Sequence, residues 1–389
     1  MRPADATTDA TPAALRVLHV GKYFPPEPGG IERFLDALSA AQVRQGLDPA
    51  VIAHDRRESS RRILDGRTVF LCRSYGQWLF TPLAPAWPWH LAKAIAEHRP
   101  QVLHFHLPNP AAFHALWLPA ARRLPWVLHW HADIPLDTGH GGLRLAYPAY
   151  AVFERLLLRK AGRVIATSAT YLEASAALRA HRDRCRVVPL ALGDATAPGT
   201  PHPWPAPGLR VLAVGRLSYY KGFEHLLQGL SRVHGASLVI AGRGEQEPAL
   251  RALADRLGIA PRVSFLTDLD DAQVEACYRD CDVVCLPSTD RAEAFGLVLL
   301  EAMRAAKPVL ASRLAGSGML EVVIDGETGL QVAPGDPGQI ADALARLRDD
   351  PILRARLGTA GRARFDAHFA MDEVCRATTR IYREALAAG

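Results

Sequence analysis

The chain has 389 residues, 49% of them hydrophobic and 22% charged, with a formal net charge of +6. That length exceeds one ordinary hydrophobic core and predicts two domains, and the composition is globular rather than fibrous or disordered. The basic excess suits nucleotides and other anionic small molecules. It is too small and dispersed for nucleic acid, and no basic run interleaved with aromatics is present.

In chain order, MRPADATTDATPAA (1–14) is polar, lacks the apolar core of a signal peptide and reads as a disordered tail. Seven strand-like runs follow: LRVLHVG (15–21), PAVIAH (49–54), RTVFLC (67–72), QVLHFH (101–106), WVLHWH (126–131), RVIATS (163–168) and RVVPL (186–190). Segments with helical apolar spacing separate them, which predicts βαβ units and a parallel sheet over 15–192. GDATAPGTPHPWPAPG (193–208) is dense in Pro and Gly and reads as a linker. The alternation restarts with LRVLAVG (209–215), ASLVIAG (236–242), RVSFLT (262–267), DVVCLPS (282–288), PVLAS (308–312) and GLQVA (329–333), giving a second domain over 209–368. Residues 369–389 read as an amphipathic terminal helix able to cross back to the first domain. The expected fold is α/β, two doubly wound Rossmann-like domains facing across a cleft, with ligands at the carboxyl ends of the strands.

No window reaches the roughly 18–20 apolar residues of a membrane span, so a cytoplasmic protein, at most peripheral on a membrane face, is expected. The six cysteines (Cys72, Cys185, Cys277, Cys281, Cys285 and Cys375) include the cluster CYRDCDVVC, which lacks a CxxC or HxxxH partner. They read as small buried hydrophobes in a reducing compartment.

Four loops at strand ends carry candidate chemistry. In GKYFPPEPGGIERF, Gly29 and Gly30 open a helix whose N-terminus favours negative charge; the plainer alternative is a turn. In GRLSYYKGFEHLL, Arg216 and Lys221 could clamp a diphosphate, or simply be solvated. In HWHADIP, His131 leads toward the cleft and could bond a sugar hydroxyl or phosphate oxygen, though single histidines more often pack. In TDRAEAFGLVLLEAM, Glu293 precedes a helix expected to start near Phe295-Gly296, and Glu301 lies eight residues on, about 12 Å if the path is helical. That is comparable to the span from hexose to ribose in a nucleotide sugar. A cap and an exposed helix residue are the alternatives.

GGIERF, VGRLSYYKGFEHLL, AGRGEQEPAL, VSFLT and above all EAFGLVLLE resemble the retaining glycosyltransferases of family 4, which have the GT-B fold. The resemblance runs from about Leu15 to the C-terminus. It implies that Arg216 and Lys221 hold the donor diphosphate, and that Glu293 with the backbone of Ala294, Phe295, Gly296 and Leu297 reads the transferred sugar. Glu301 would take the ribose hydroxyls, Gly29 and Gly30 would close the diphosphate side, and His131 would lie near the sugar. Arg243, Leu266 and Thr267 would flank the base. VPLALGD departs from the family's P-x-G-[IV]-D turn by an inserted Ala191-Leu192.

The resemblance further implies a nucleotide-sugar donor, a lipid-linked or oligosaccharide acceptor in cell-surface polysaccharide or lipopolysaccharide synthesis, no cofactor and no metal. GDP-mannose is the first expectation for the donor, a UDP-hexose the next. The DxD triplets at 268–270 and 280–282 read as chance matches, with Asp268 and Asp270 as helix caps. Trp78, Phe80, Trp87 and Trp89 could meet the acceptor or a membrane, or could be core. Alternative readings are a nucleotide-sugar epimerase of the same fold, a non-catalytic sugar-nucleotide binder, and a dinucleotide oxidoreductase, the last disfavoured by the missing GxGxxG.

Overall fold

The computed structural model describes residues 14–388 apart from 28, 80, 135–140, 194, 198 and 201–202. The expected tail over 1–14 therefore lies almost wholly outside the described residues, as does Phe80. Among the described residues three sheets are formed. The first contains β1 (Arg16–Tyr23), β2 (Asp48–Asp55), β3 (Ser60–Leu64) and β4 (Arg67–Arg73), and later β7 (Val102–Leu107), β8 (Trp126–Trp130), β9 (Arg163–Ala166) and β10 (Cys185–Val187). A small hairpin pairs β5 (Gln77–Trp78) with β6 (Thr81–Pro82). The third sheet contains β11 (Leu209–Val214), β12 (Ala236–Ala241), β13 (Val263–Leu266), β14 (Val283–Leu286), β15 (Val309–Ser312) and β16 (Gly329–Val332).

All thirteen expected strands are present, within a few residues of their expected ends, because they are short apolar runs, most of them buried on both faces, with β10 and β13 at the sheet edges partly exposed. The sheet is not wholly parallel: β3 was not expected, and it pairs antiparallel with β4 through an Asp65-Gly66 turn in which both residues have positive φ. That pair is a hairpin signal, but β3 carries the exposed sequence SRRIL and no apolar alternation to mark it.

The order of the first sheet, β10-β9-β8-β7-β1-β2-β4-β3, reverses direction of growth between β1 and β7. The second, β13-β12-β11-β14-β15-β16, reverses between β11 and β14. Each reversal leaves a crevice beyond the strand ends where two connections depart to opposite faces. These crevices face one another. Gly30, which opens the helix Gly30–Arg44, lies so close to the second lobe that a Cβ there would stand 2.8 Å from Leu297 Cδ1. Arg33 reaches across to Asp271 at 2.7 Å and to Glu301 at 3.6 Å. Arg291 returns the contact to Asp133 at 3.1 Å.

The chain crosses between the lobes twice. Ala191 is buried and Leu192 bridges to Ala370, so the inserted pair lies beside the returning chain, where the two crossings run together. The helix Met371–Ala387 then packs on the first lobe. Its Tyr382 hydroxyl accepts from Gln42 Nε2 at 2.9 Å, and Ala385 lies against Gly162. One continuous apolar core joins Val17, Phe34 and Val127 of the first lobe to Phe295, Phe369 and Tyr382. All six cysteines are free and buried, as their apolar surroundings predict.

Candidate active site

Lys221 and Glu293 come from the two strands that flank the second crevice. Lys221 closes a 3₁₀ turn after β11, and Gly222 follows at φ 66°, packed beneath the Pro287 carbonyl where any side chain would collide. That close approach draws the turn onto the end of β14 and brings Lys221 Nζ to 2.5 Å from Glu293 Oε2. Both side chains are nearly buried, at 8% and 12% exposure. Burial opposes the ammonium charge, but Glu293, Tyr220 and Glu301 together outweigh it and raise the Lys221 pKa. Ser288 Oγ donates a second bond to the same carboxylate oxygen at 3.3 Å. The backbone of Glu293 is held too, since its carbonyl accepts from Ser317 Oγ at 2.6 Å.

The path from Glu293 to Glu301 is not one helix. Residues 293–296 form a turn, and the helix spans Leu297–Arg304 with Gly296 at φ 81° as its cap. The eight-residue spacing is therefore not the rise of one continuous helix. The amides of Ala294, Phe295 and Gly296 donate to no protein acceptor among the described residues. The Phe295 side chain points away into the core against Phe369. Glu301 is 14% exposed and is held from below by Tyr278, whose hydroxyl donates at 2.5 Å. Burial, then the neighbouring Glu301 charge, pushes the Tyr278 pKa well up, so it remains a donor.

The first lobe contributes the N-terminus of the helix Gly30–Arg44, where Gly29 is extended and the Glu32 carboxylate folds back over it. Burial raises the Glu32 pKa, and burial lowers that of Lys22, which sits beside it. An acid thus occupies the place where a helix N-terminus would hold an anion. Arg216 is 65% exposed and pairs with Glu245 at 3.8 Å. Arg243 Nε donates to the Thr267 carbonyl at 2.6 Å beside the end of β13 at Leu266, and its guanidinium pairs with Asp268.

Several expectations are corrected. Asp268 is not a helix cap; Asp270 alone caps the helix Asp271–Asp280, in a capping box with Gln273. His131 does not open onto the cleft as a free side chain. It is 3% exposed, stacked on His129 at 4.2 Å, with Nε2 3.0 Å from His106 Nδ1, and burial lowers its pKa to about 3. Trp87 is core, its indole donating to Ala111 O, while Trp78 and Trp89 are exposed. Among the described residues the side-chain groups close enough to hold a metal are all histidine: His19, His104, His106 and His106, His129, His131.

Sequence reasoning missed Lys22, Arg33, Tyr278 and Arg291, single polar residues with no motif of their own. It also missed His19, His104 and His106. Their signal was present: HFH and HWH place histidines two apart on β7 and β8, hence on one face, and the register sets His106 beside His129 and His104 beside His19.

Two family models cover most of the chain, a glycosyl transferase 4-like domain over residues 29–191 and glycosyl transferases group 1 over 201–364. The chain is 30% identical over 362 residues to the D-rhamnosyltransferase WbpZ of Pseudomonas aeruginosa, covering 90% of this chain and 91% of that one. It is 27% identical over 387 residues to the O-antigen chain mannosyltransferase C of Escherichia coli, covering 95% and 98%. Among solved structures, the sucrose-phosphate synthase of Thermosynechococcus elongatus superposes with a TM-score of 0.76 at 21% identity, over 96% of this chain and all of that one.

Proposed function

Because this chain belongs to the family 4 glycosyltransferases of bacterial polysaccharide and lipopolysaccharide synthesis, with the GT-B fold, we propose that it transfers mannose from GDP-mannose to a lipid-linked or oligosaccharide acceptor, with retention at the anomeric carbon. The observation that carries this reading is the Lys221–Glu293 pair at 2.5 Å, set at the second crevice and faced by Gly30 across a van der Waals contact with Leu297. Both full-length relatives described above are named for transfer of mannose or a deoxy form of it, which favours GDP-mannose over a UDP-hexose.

In this reading Lys221 and Arg216 take the diphosphate, and the backbone of Gly29 and Gly30 closes its other side, with the Glu32 carboxylate moving off the helix end. The amides of Ala294, Phe295, Gly296 and Leu297 together with Glu293 hold the sugar, Glu301 the ribose, and Arg243 with Leu266 and Thr267 flank the base. The acceptor hydroxyl attacks the anomeric carbon from the face the phosphate leaves. The bond from that carbon to the phosphate oxygen breaks as the new glycosidic bond forms, and the hydroxyl proton passes to the departing phosphate. Fixed cations and amides stabilise the charge on that phosphate, so no divalent metal is required. The acceptor side belongs to the first lobe. There a cavity of about 410 Å³ is lined by Tyr23, Arg56, Arg73, Ser74 and Gln77 beyond the ends of β1, β2 and β4, and exposed Trp78 and Trp89 lie on the same lobe. No helix among the described residues is long and apolar enough to cross a membrane, so contact with a membrane would be peripheral.

A thermal-shift panel of GDP-, UDP-, dTDP- and ADP-sugars, followed by transfer with the best donor and NMR of the product anomer, tests this. Stabilisation by GDP-mannose and an α-linked product are expected. Preference for a UDP-sugar would replace the donor, and an inverted product would remove the mechanism.

A further inference from the structure

Two charged side chains that the donor reading leaves unused meet between the lobes, close in sequence to Glu293. Asp133 stands three residues beyond the end of β8, and the first lobe fixes its carboxylate from one side. Its Oδ1 accepts from Trp130 Nε1 at 2.9 Å and from Ser175 Oγ at 2.7 Å, and its backbone amide donates to the Tyr171 hydroxyl at 2.6 Å. Both lone pairs of Oδ1 are thereby taken, which leaves Oδ2 for the second lobe. There Arg291 Nη2 donates to it at 3.1 Å, and the guanidinium lies over the Tyr171 ring, 4.9 Å from its centre.

Arg291 and Glu293 share one closed turn. The Ala292 amide donates to Asp290 Oδ1 at 2.7 Å and the Glu293 amide to the Asp290 carbonyl at 3.0 Å, so a displacement of Arg291 is carried to Glu293. The far flank of the same segment also reaches the first lobe. Ser317 Oγ holds the Glu293 carbonyl and the Gly318 amide donates to the Ala294 carbonyl at 2.8 Å. Glu321, in the short helix that follows, accepts from the Thr170 amide of the first lobe at 2.5 Å. Two glycines keep this seam tight. A Cβ on Gly316 would stand 2.8 Å from Ala174 Cβ, and one on Gly318 would stand 3.0 Å from Ser168 Oγ.

A plain strut between the lobes is the simpler use of such a pair. Partly exposed ion pairs contribute little to stability, however, and Arg33 and the shared apolar core already join the lobes. What sets Asp133 and Arg291 apart is where they act, on the turn that ends in Glu293. Because the two ends belong to different lobes, the pair breaks whenever the lobes part.

We propose that Asp133 and Arg291 are positioning residues whose ion pair couples lobe closure to the seating of Glu293, so that the sugar side of the site is assembled only in the closed state. The inference rests on the reading of Glu293 as a sugar-binding group. Lys221 and Arg216, which take the diphosphate in that reading, lie outside the pair, so its loss should lower turnover rather than donor affinity. Loss of one charge-assisted hydrogen bond, with the misplacement that follows, costs roughly tenfold or more in kcat.

The test is a double-mutant cycle read in the transfer reaction, with GDP-mannose or the sugar nucleotide that the thermal panel prefers. Arg291→Gln and Asp133→Asn should each lower kcat roughly tenfold while donor KM and the donor's effect on melting change by less than about twofold. The double variant should fall no further than the weaker single one, because both remove the same contact. Arg291→Lys, which keeps the charge, should retain part of the rate. An unchanged kcat in Arg291→Gln with only the melting temperature lowered would reduce the pair to a strut. Losses that multiply in the double variant, or a raised donor KM at unchanged kcat, would also overturn the inference, the last by making Arg291 a donor contact; all three leave the donor reading intact. A wild type that transfers from no sugar nucleotide would remove both.

Discussion

Mild acid should unfold this protein, and five buried histidines, His19, His104, His106, His129 and His131, set the size of the effect. Burial holds His19 near 4 and His131 near 3, and it keeps His104, His106 and His129 well below the ordinary value of 6.5. Released into water, each ring takes a proton near pH 6.5. Below that pH the unfolded chain binds more protons than the folded one, so stability present above pH 6.5 is lost as the pH falls toward 4. At pH 5.5 each ring favours the unfolded chain by about 1.4 kcal/mol, and the five together by about 7 kcal/mol at most. A whole domain is stable by only about 5–15 kcal/mol. His54, stacked on Trp87 and also held near 4 by burial, acts in the same direction. Guanidinium unfolding at pH 7.5, 6.5 and 5.5 at constant ionic strength, followed by the fluorescence of buried Trp126 and Trp130, should show a steep fall in midpoint below pH 6.5. His129→Phe, which removes a ring with no partner on either nitrogen, should shrink that fall by about one proton's share. A midpoint at pH 5.5 equal to that at pH 7.5 would refute the reasoning.

Glu293→Gln leaves the Lys221 ammonium buried without its counter-charge; the expected outcomes are a loss of about 1–3 kcal/mol in calorimetry and a drop in turnover of about 10²–10³-fold. Near-normal transfer would take Glu293 out of the mechanism. Gly30→Val places carbon against Leu297, so donor KM should rise, and adding Leu297→Ala should restore part of the loss; an unchanged KM in the single variant would show that the lobes need not meet there. A Trp78→Ala/Trp89→Ala variant should float less with anionic vesicles than the wild type, and equal flotation would remove the membrane surface from consideration.

The lobes were legible in the sequence because parallel strands buried on both faces are written as unbroken apolar runs, and the linker because Pro and Gly interrupt everything else. The loops that carry Lys221 and Glu293 were legible for a different reason. Lys221 and Glu293 lie next to glycines that the backbone requires at Gly222 and Gly296, so their loops carry a recognisable spelling. His131 shows where that method ends. Its place at the end of β8 could be read, but its burial and its hydrogen bonds are set by His106, His19 and Gln42, which are 25, 112 and 89 residues away. The same holds for Glu301, fixed by Tyr278 from a neighbouring helix and by Arg33 from the other lobe. β3 was missed because its pairing rests on backbone bonds and a tight turn, with almost no buried side chain to leave a pattern.

Tyr382 lies 340 residues beyond the Gln42 it holds. During synthesis at about 5–20 residues per second, the histidine-bearing flank of the first lobe therefore waits roughly 20–70 s for its cover. The N-terminal half emerges from the ribosome first yet is completed last, so its maturation is tied to the appearance of the helix Met371–Ala387 rather than to its own emergence.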